Sequence, residues 1–528
     1  MGGEIDGVTR ERRDWALVVA ICVPVAVLSI DFAGVVVALP AIGTDLGVAQ
    51  DRLGWVVSAF ALGSAAPLIV AGRVADTTGR RRLLLAGLWC FLAGTVACLA
   101  APDFGVLVGG RLVQGVGMAL FMTASLGALS AGTVEPFRTR AVGVWSAVGG
   151  LALAVGPLVG GVLTDLGSWR WFFLADVPPL LLGLVLVHRS VQDVPAGAGG
   201  GAAGRRSALD GHAAGGPIGA GGASDDDAAQ AQGGTAWRDA GPERGPGDRP
   251  ARVPLDPWSA VASILAVTAL TSAVQTVGTR GWASPAPLAG AVVAVAAAVA
   301  FARRERRPDP PPIVDPVLWR RPAFWTPVAV ALLANVAFGS LQFLLTLALQ
   351  DVAGWTPLEA GGAFLLYSAP FAAVGLRIGR LTARLGARRA LVLGQVLIAV
   401  SFVAVAALAD TSVVTASCVG LAVAGLGQGL AFTLTTSTSL AAAPATDASV
   451  ASGLLTTLRN LGIVAGITVA TLALGRAGGG VPDTVTAGAA AGAATTAAFA
   501  DGLRLASFVL AAVSLAGAAV AARLPVGD

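Results

Sequence analysis

Apolar blocks of about 20 residues, the length a helix needs to cross a bilayer, recur along the whole chain. The first, "ALVVAICVPVAVLSIDFAGVVVALPAI" at 16–42, carries a single charge, Asp31. Each block is bounded by Arg, Pro, Gly or Asp, a pattern that predicts a polytopic helical membrane protein. Hydropathy places six spans at approximately 15–40, 53–72, 83–101, 104–131, 140–163 and 170–188. Two follow near 257–278 and 286–302, and a last six near 324–349, 358–378, 388–409, 412–439, 450–474 and 502–523. The expectation is an all-α chain of about fourteen transmembrane helices.

Composition supports this class: 55% of the 528 residues are hydrophobic, 12% are charged, and the mean hydropathy is +0.76. A soluble protein carries about twice that charged fraction. The basic stretch "RERRD" before the first block resembles the start of a signal peptide. The apolar run is too long and no small-residue cleavage site follows, so an uncleaved first span is expected.

Every basic residue is Arg, and its placement predicts orientation. A cytoplasmic N-terminus puts Arg10, Arg12 and Arg13, then Arg73, Arg80, Arg81 and Arg82, then Arg138 and Arg140 inside. The same parity places Arg303, Arg304, Arg306, Arg307, Arg320, Arg321, Arg380, Arg384, Arg388 and Arg389 there. Only Arg52, Arg170, Arg280 and Arg476 fall outside. This positive-inside bias requires an even number of spans before each basic loop, and both termini in the cytoplasm.

The expected organisation is a cytoplasmic N-terminus (1–14), a six-helix bundle (15–189), a linker (190–255), two additional helices (256–303), a cytoplasmic loop (304–323) and a second six-helix bundle (324–528). The linker, with "AGAGGGAAG" and "GPERGPGDRP", is Gly/Ala/Pro/Asp-rich and reads as disordered. The halves echo each other: "GRVADTTGRRR" at 72–82 matches "GRLTARLGARR" at 379–389. "RLVQGVG" at 111–117 has a weaker counterpart in "GLGQGLA" at 425–431. Same-parity repeats suggest two bundles related by an axis along the membrane normal, with a binding cavity between them.

In the first repeat, glycines permit a tight turn while Asp76 accepts hydrogen bonds from a helix N-terminus or an Arg. Gly72, Asp76, Gly79, Arg80 and Arg81 are therefore candidates for a conformational latch; the plainer alternative is that the arginines only enforce topology. Ala383 replaces the Asp in the second copy, so the copies are not equivalent. In "GPLVGG" at 156–161, Pro157 bends a helix while Gly156, Gly160 and Gly161 admit close helix approach. That motif reads as a pliable seam or as ordinary small-residue packing.

Together these motifs resemble the major facilitator superfamily. The loop at 72–82 is similar to its signature cytoplasmic loop, "RLVQGVG" to its fourth-span motif and "GPLVGG" to the fifth-span motif of antiporters. "IDFAGVVVALP" at 30–40, "SWRWFFLADVP" at 168–178 and the two inserted spans resemble the fourteen-span drug:proton antiporter branch. The resemblance implies the major facilitator fold and export coupled to protons.

Within it, Asp31 and Arg111 are the expected proton-coupling pair. A guanidinium stays charged throughout and alters a carboxylate's proton affinity as the bundles move. The structural alternatives are an interhelical hydrogen-bond hub for Arg111 and an Asp31 held by Ser29 or backbone. Where the family usually has Thr and Asn after this Asp, the chain has Ala33 and Val36, which leaves Asp31 with fewer expected polar neighbours. Gln114 falls one turn from Arg111 on the same face. Gln114, Asn335, Gln342, Arg459 and Asn460 are candidate cavity-lining residues, with Gln350 between cavity and outer interface and Arg459 and Asn460 equally open to packing or snorkelling. Asp176 and Glu359 read as span-start residues, and Trp55, Trp169, Trp171, Trp282 and Trp355 as an aromatic belt.

His188 and His212 are the only histidines and the four cysteines lack metal spacing, so no metal or cofactor is expected. Nothing resembles a nucleic-acid patch, a Walker phosphate loop or an enzyme's nucleophile–base pair. The expected activity is export of small hydrophobic molecules, drugs or antibiotics, in exchange for protons by a monomer in the plasma membrane. A facilitator of a lipid, sugar or metabolite, or a non-transport enzyme or receptor on the same scaffold, is the alternative.

Overall fold

The continuous apolar blocks become long helices, and the breakers between them become the helix ends. The computed structural model describes residues 2–133, 137–191, 256–281, 284–307, 314, 316–409, 412–443, 448–476 and 489–524. Some helical side chains, among them those of 2–11, 72–78 and 489–496, are outside the description. The first half comprises α1 (Gly2–Leu46), α2 (Gln50–Thr78), α3 (Arg80–Leu99), α4 (Phe104–Gly132), α5 (Phe137–Asp165) and α6 (Arg170–Ser190). Next come α7 (Pro257–Arg280) and α8 (Pro285–Glu305). The second half holds α9 (Pro322–Leu347), α10 (Leu365–Leu385), α11 (Ala387–Leu408), α12 (Val413–Ala442), α13 (Ala448–Arg476) and α14 (Ala489–Ala521). A π-helical turn, Ala348–Val352, and a short helix, Pro357–Ala363, lead from α9 to α10. There is no strand among the described residues.

Among the described residues, twelve helices are long and apolar enough to span a membrane, thirteen if the bent α5 is counted as one. The expected count of fourteen is not reached by that measure. Residues 192–255, nearly all of the expected linker, fall outside the described residues.

Local chemistry explains the ends. Asp103 caps α4 by accepting from Val106 N at 3.0 Å, and Ser412 caps α12 by accepting from Thr415 N at 3.2 Å. Thr356 and Glu359 form a reciprocal capping box, so Glu359 serves a helix start as expected. The bend in α5 is 43° and falls between Leu153 and Val155. Pro157 lies four residues after Leu153, where its ring displaces the carbonyl it would otherwise bond. Gly79 and Gly386 hold equivalent places in the two loop repeats, and both have positive φ, +95° and +75°, at the break before the next helix. Residues with a Cβ avoid that conformation.

The repeat extends to tertiary structure. In the first half α1 packs on α5 and α6, α3 on α4 and α6, and α2 on α4. In the second half α9 packs on α13 and α14, α11 on α12 and α14, and α10 on α12, pair for pair. Glycines set the same close approach in both: Gly87 against Gly117 between α3 and α4, and Gly394 against Gly427 between α11 and α12. The halves meet where α2 packs on α13 and where α5 packs on α10 and the short helix. Helix α7 lies against both α2 and α13. Helix α8 packs on α7 and leaves Leu288, Val292 and Val295 exposed, as expected of a face toward lipid.

Candidate functional site

Asp31 sits in the interior of α1 with no solvent exposure, and so does Arg111 of α4. Their contact is direct: Arg111 Nη1 donates to Asp31 Oδ2 at 2.5 Å and to Gln114 Oε1 at 2.7 Å. Gln114 Nε2 donates to the other carboxylate oxygen, Asp31 Oδ1, at 3.2 Å and to Thr95 Oγ1 of α3 at 2.9 Å. Arg111 Nε donates to the Val56 carbonyl of α2 at 3.2 Å. The guanidinium carbon lies 4.4 Å from the Phe60 ring centre and 5.9 Å from that of Phe173. One charge pair thus ties α1 to α4, with α2 and α3 supplying acceptors and aromatic rings excluding water.

Sequence reasoning put Gln114 on the Arg111 face, and the structure brings both to Asp31. The expected scarcity of polar neighbours around Asp31 is corrected: Arg111 and Gln114 of α4 supply the polar contacts that Ala33 and Val36 cannot. Ser29 is buried, but the bonds to Asp31 come from Arg111 and Gln114.

Asp176 is the larger correction. Its place near the start of α6 suggested a loop or helix-dipole role, yet it is buried, close enough to Asp31 and Arg111 for their charges to act on it. Helix α6 runs from Arg170 through Pro178 and Pro179 to Ser190, so Asp176 lies within it, on a face turned inward. Trp169 also leaves its expected belt: it is buried, and its Nε1 donates to Asp45 Oδ2 at 2.9 Å. Arg170 reaches the same oxygen at 2.5 Å, which fastens the start of α6 to the end of α1.

The fifth-span motif lies at two close contacts. Gly156 and Gly160 face Gly34 of α1, so near that a Cβ on either meets its neighbour's backbone. Gly161 faces the Pro357 carbonyl, and Gly361 faces the Pro157 carbonyl, across the two halves.

Of the loop candidates, the described side chains are those of Arg80 and Arg81. Gly79 forms the turn described above; Arg81 Nη2 donates to the His188 carbonyl at 2.8 Å, joining α3 to the end of α6. Arg80 lies near Gly127 of α4. The side chains of Gly72 and Asp76 lie outside the described residues.

Of the cavity candidates, Gln342 borders a cleft between the halves. This narrow cleft, with free space for about one water, is lined by Leu153 and Pro157 of α5 and by Phe338, Gln342, Tyr367, Ser368 and Phe371. Asn335 instead bonds back to the Ala331 carbonyl of its own helix. Arg459 is spent on α12, donating to the Phe432 carbonyl, Thr435 Oγ1 and Thr436 Oγ1, and stacking 4.0 Å from the Phe432 ring. Asn460 donates to Ser64 Oγ at 2.8 Å across the α2–α13 contact. Gln350 donates to the Val37 carbonyl at 2.9 Å, another link between the halves.

Aromatic rings missed by sequence reasoning dominate the cleft wall. Tyr367 lies 5.6 Å from Phe338 and 6.1 Å from Phe371 in ring-centre distance. A second small void, inside the second half, is lined by Tyr367, Phe402 and Gln428 among others. Gln428 is the repeat counterpart of Gln114, and Gly425 that of Arg111. Where the first half holds charges, the second holds an apolar aromatic space.

A family model described as Major Facilitator Superfamily matches residues 21–467. The chain is 29% identical over 438 residues to the multidrug resistance protein Stp of Mycobacterium tuberculosis, covering 82% of this chain and 71% of Stp. It is 30% identical over 474 residues to the cephamycin export protein CmcT of Amycolatopsis lactamdurans, covering 88% and 86%. Among solved structures, a bacterial homologue of the lysosomal transporter Spinster, inward-facing and unoccupied, superposes with TM-score 0.61 at 17% identity, covering 96% of each chain.

Proposed function

The chain belongs to the major facilitator superfamily, and from that premise we propose that it exports small hydrophobic molecules in exchange for protons by alternating access. The observation that carries this reading is the buried Asp31–Arg111–Gln114 cluster. A charged carboxylate inside a membrane helix costs about 2.5–3.5 kcal/mol on insertion scales, so it persists where function requires it. The relatives named for multidrug resistance and cephamycin export support export as the direction.

The substrate enters from the cytoplasm or inner leaflet and occupies the space that opens along the cleft between α5, α9 and α10 as the bundles move. Its walls are aromatic and aliphatic, with Gln342 and Ser368 as the polar points, which suits a flat apolar molecule bearing few hydrogen-bonding groups. With the cytoplasmic N-terminus that arginine placement implies, α5 runs outward. The Gly161–Pro357 and Gly361–Pro157 contacts then close the outer end of the pathway. A proton arriving from outside binds at Asp31, loosens its bond to Arg111 and lets the bundles rock. The gradient supplies about 2.3 kcal/mol per charge per 100 mV and about 1.4 kcal/mol per pH unit. The protein works as a monomer in the plasma membrane with both termini in the cytoplasm.

Proteoliposomes with an imposed pH gradient test this reading. Gradient-driven ethidium movement that disappears in Asp31→Asn supports it. Movement indifferent to the gradient would instead make the protein a facilitator of another cargo, and no movement of any tested solute would favour the non-transport alternatives.

A further inference from the structure

Two buried polar atoms in the Asp31 cluster have opposite and unmet needs. Arg111 Nη2 is a donor without an acceptor, and Asp176 Oδ2 is an acceptor without a donor. Arg111 has no solvent exposure and Asp176 is 5% exposed, so water does not fill either role freely. The Asp176 carboxyl lies close enough to both Asp31 and Arg111 for their charges to act on it. The groups facing the site are Asp31 from α1, Cys98 from α3, Arg111 from α4 and Asp176 from α6. Helix α2 contributes only the Val56 carbonyl and the Phe60 ring.

Two carboxyl groups share this space with one fixed cation. With both ionised the cluster carries a net charge of −1, and with both protonated it carries +1. A single proton makes it neutral. Excess charge in a low-dielectric interior is costly, and two adjacent carboxylates do not both ionise readily. One neutral arrangement has Asp31 as the carboxylate facing Arg111, its observed partner, and the proton on Asp176.

We propose that Asp31 and Asp176 together bind the exchanged proton, with Arg111 moving between them as the proton changes carboxyl. This rests on the proton-exchange reading above and deepens it. When the proton passes from Asp176 to Asp31, the O–H bond at Asp176 breaks and one forms at Asp31. Arg111 Nη1 then loses its carboxylate at Asp31, and the idle Nη2 takes Asp176 Oδ2, now ionised. The charge count is unchanged, while the ionic tie moves from α1 to α6. Release of the proton to the cytoplasm leaves net −1, and re-entry from outside restores neutrality. Asp176 is thus a second proton-binding residue, and the switch is a change of ionic partner between two helices.

The test is the pH dependence of ethidium transport in proteoliposomes of the full chain, for wild type, Asp176→Asn, Asp176→Glu and Asp31→Asn. Without the second carboxyl, Asp31 faces Arg111 alone and takes up a proton only in more acid solution. Asp176→Asn should therefore move the pH midpoint down by about one unit or more, a factor of roughly ten in proton affinity. Asp176→Glu should return it toward wild type. Infrared difference spectra supply a second readout: the protonated-carboxyl band of the wild type at neutral pH should be lost in Asp176→Asn. If that variant does not insert, Asp176→Ser replaces it: a proton-binding role again lowers the midpoint, whereas a packing role lowers only the maximal rate. A midpoint unchanged in every Asp176 variant, with Asp31→Asn inactive, would overturn the shared-proton proposal and leave antiport standing. Gradient-driven transport that persists in Asp31→Asn would instead overturn the antiport reading itself.

Discussion

Gly161 of α5 lies against the backbone carbonyl of Pro357, and Gly361 returns the contact onto the carbonyl of Pro157. A side chain at either glycine meets main chain of the opposite half, which has no alternative rotamer to adopt. Gly161→Val should hold these ends apart at an overpacking cost of about 1–3 kcal/mol. The expected outcome is a folded protein that transports roughly tenfold more slowly and leaks protons from pyranine-loaded liposomes. Wild-type rate and tightness in this variant would remove the seam from the mechanism.

Arg111→Ala removes the one cation bonded to Asp31 and leaves the carboxylates without their counter-charge. Breaking a buried pair from one side costs about 3–5 kcal/mol. A large fall in thermal midpoint in detergent is expected, together with loss of transport. Arg111→Lys retains charge but not the several donors that now reach Asp31, Gln114 and Val56 at once. It should recover stability without recovering transport; equal recovery of both would show that charge alone suffices.

Tyr367 lines both the cleft and the void and stacks on Phe371. Aromatic pairing adds about 0.5–1.5 kcal/mol beyond area burial, a factor of up to roughly ten in binding. Tyr367→Leu should therefore raise KM for planar aromatic substrates while leaving kcat and the pH profile in place. A change in kcat with KM unaltered would assign this residue to the conformational step.

At the start of α7, burial by itself raises the Asp256 pKa, but hydrogen bonds from Ser259 and Arg304 outweigh it and hold the carboxyl below its ordinary value. A depressed folded-state pKa contributes stability at pH above the unfolded value of about 3.9 and loses it as pH falls through the folded value. Hydrogen exchange at the first turn of α7 should be slow at neutral pH and accelerate in acid. Asp256→Asn should remove most of that pH response; an identical acid response would place its origin elsewhere.

Much of the architecture was legible because a membrane helix declares itself in consecutive residues. Gly79 and Gly386 were visible in the same way, as equivalent positions in a repeated loop. The fifth-span glycines were legible as a close-packing surface, but not their partners Gly34 and Pro357, which come from other helices. Gln342 borders the cleft while Asn335, on the same expected stripe, bonds to its own helix. Helical spacing assigns a face, but the neighbour on that face decides whether it is cavity or core.

Hydrophobic run length, arginine placement and internal repetition were properties of the chain itself, and they determined a helical membrane protein of two related halves. Lipid enforces that much locally, since every backbone polar group in a span must be satisfied within its own helix. The meeting of Asp31, Arg111, Gln114 and Asp176 from three helices was decided only in the folded bundle. Whether a buried carboxyl has a partner depends on groups distant in sequence, and the cost of leaving it unpaired is set by the surroundings that packing creates.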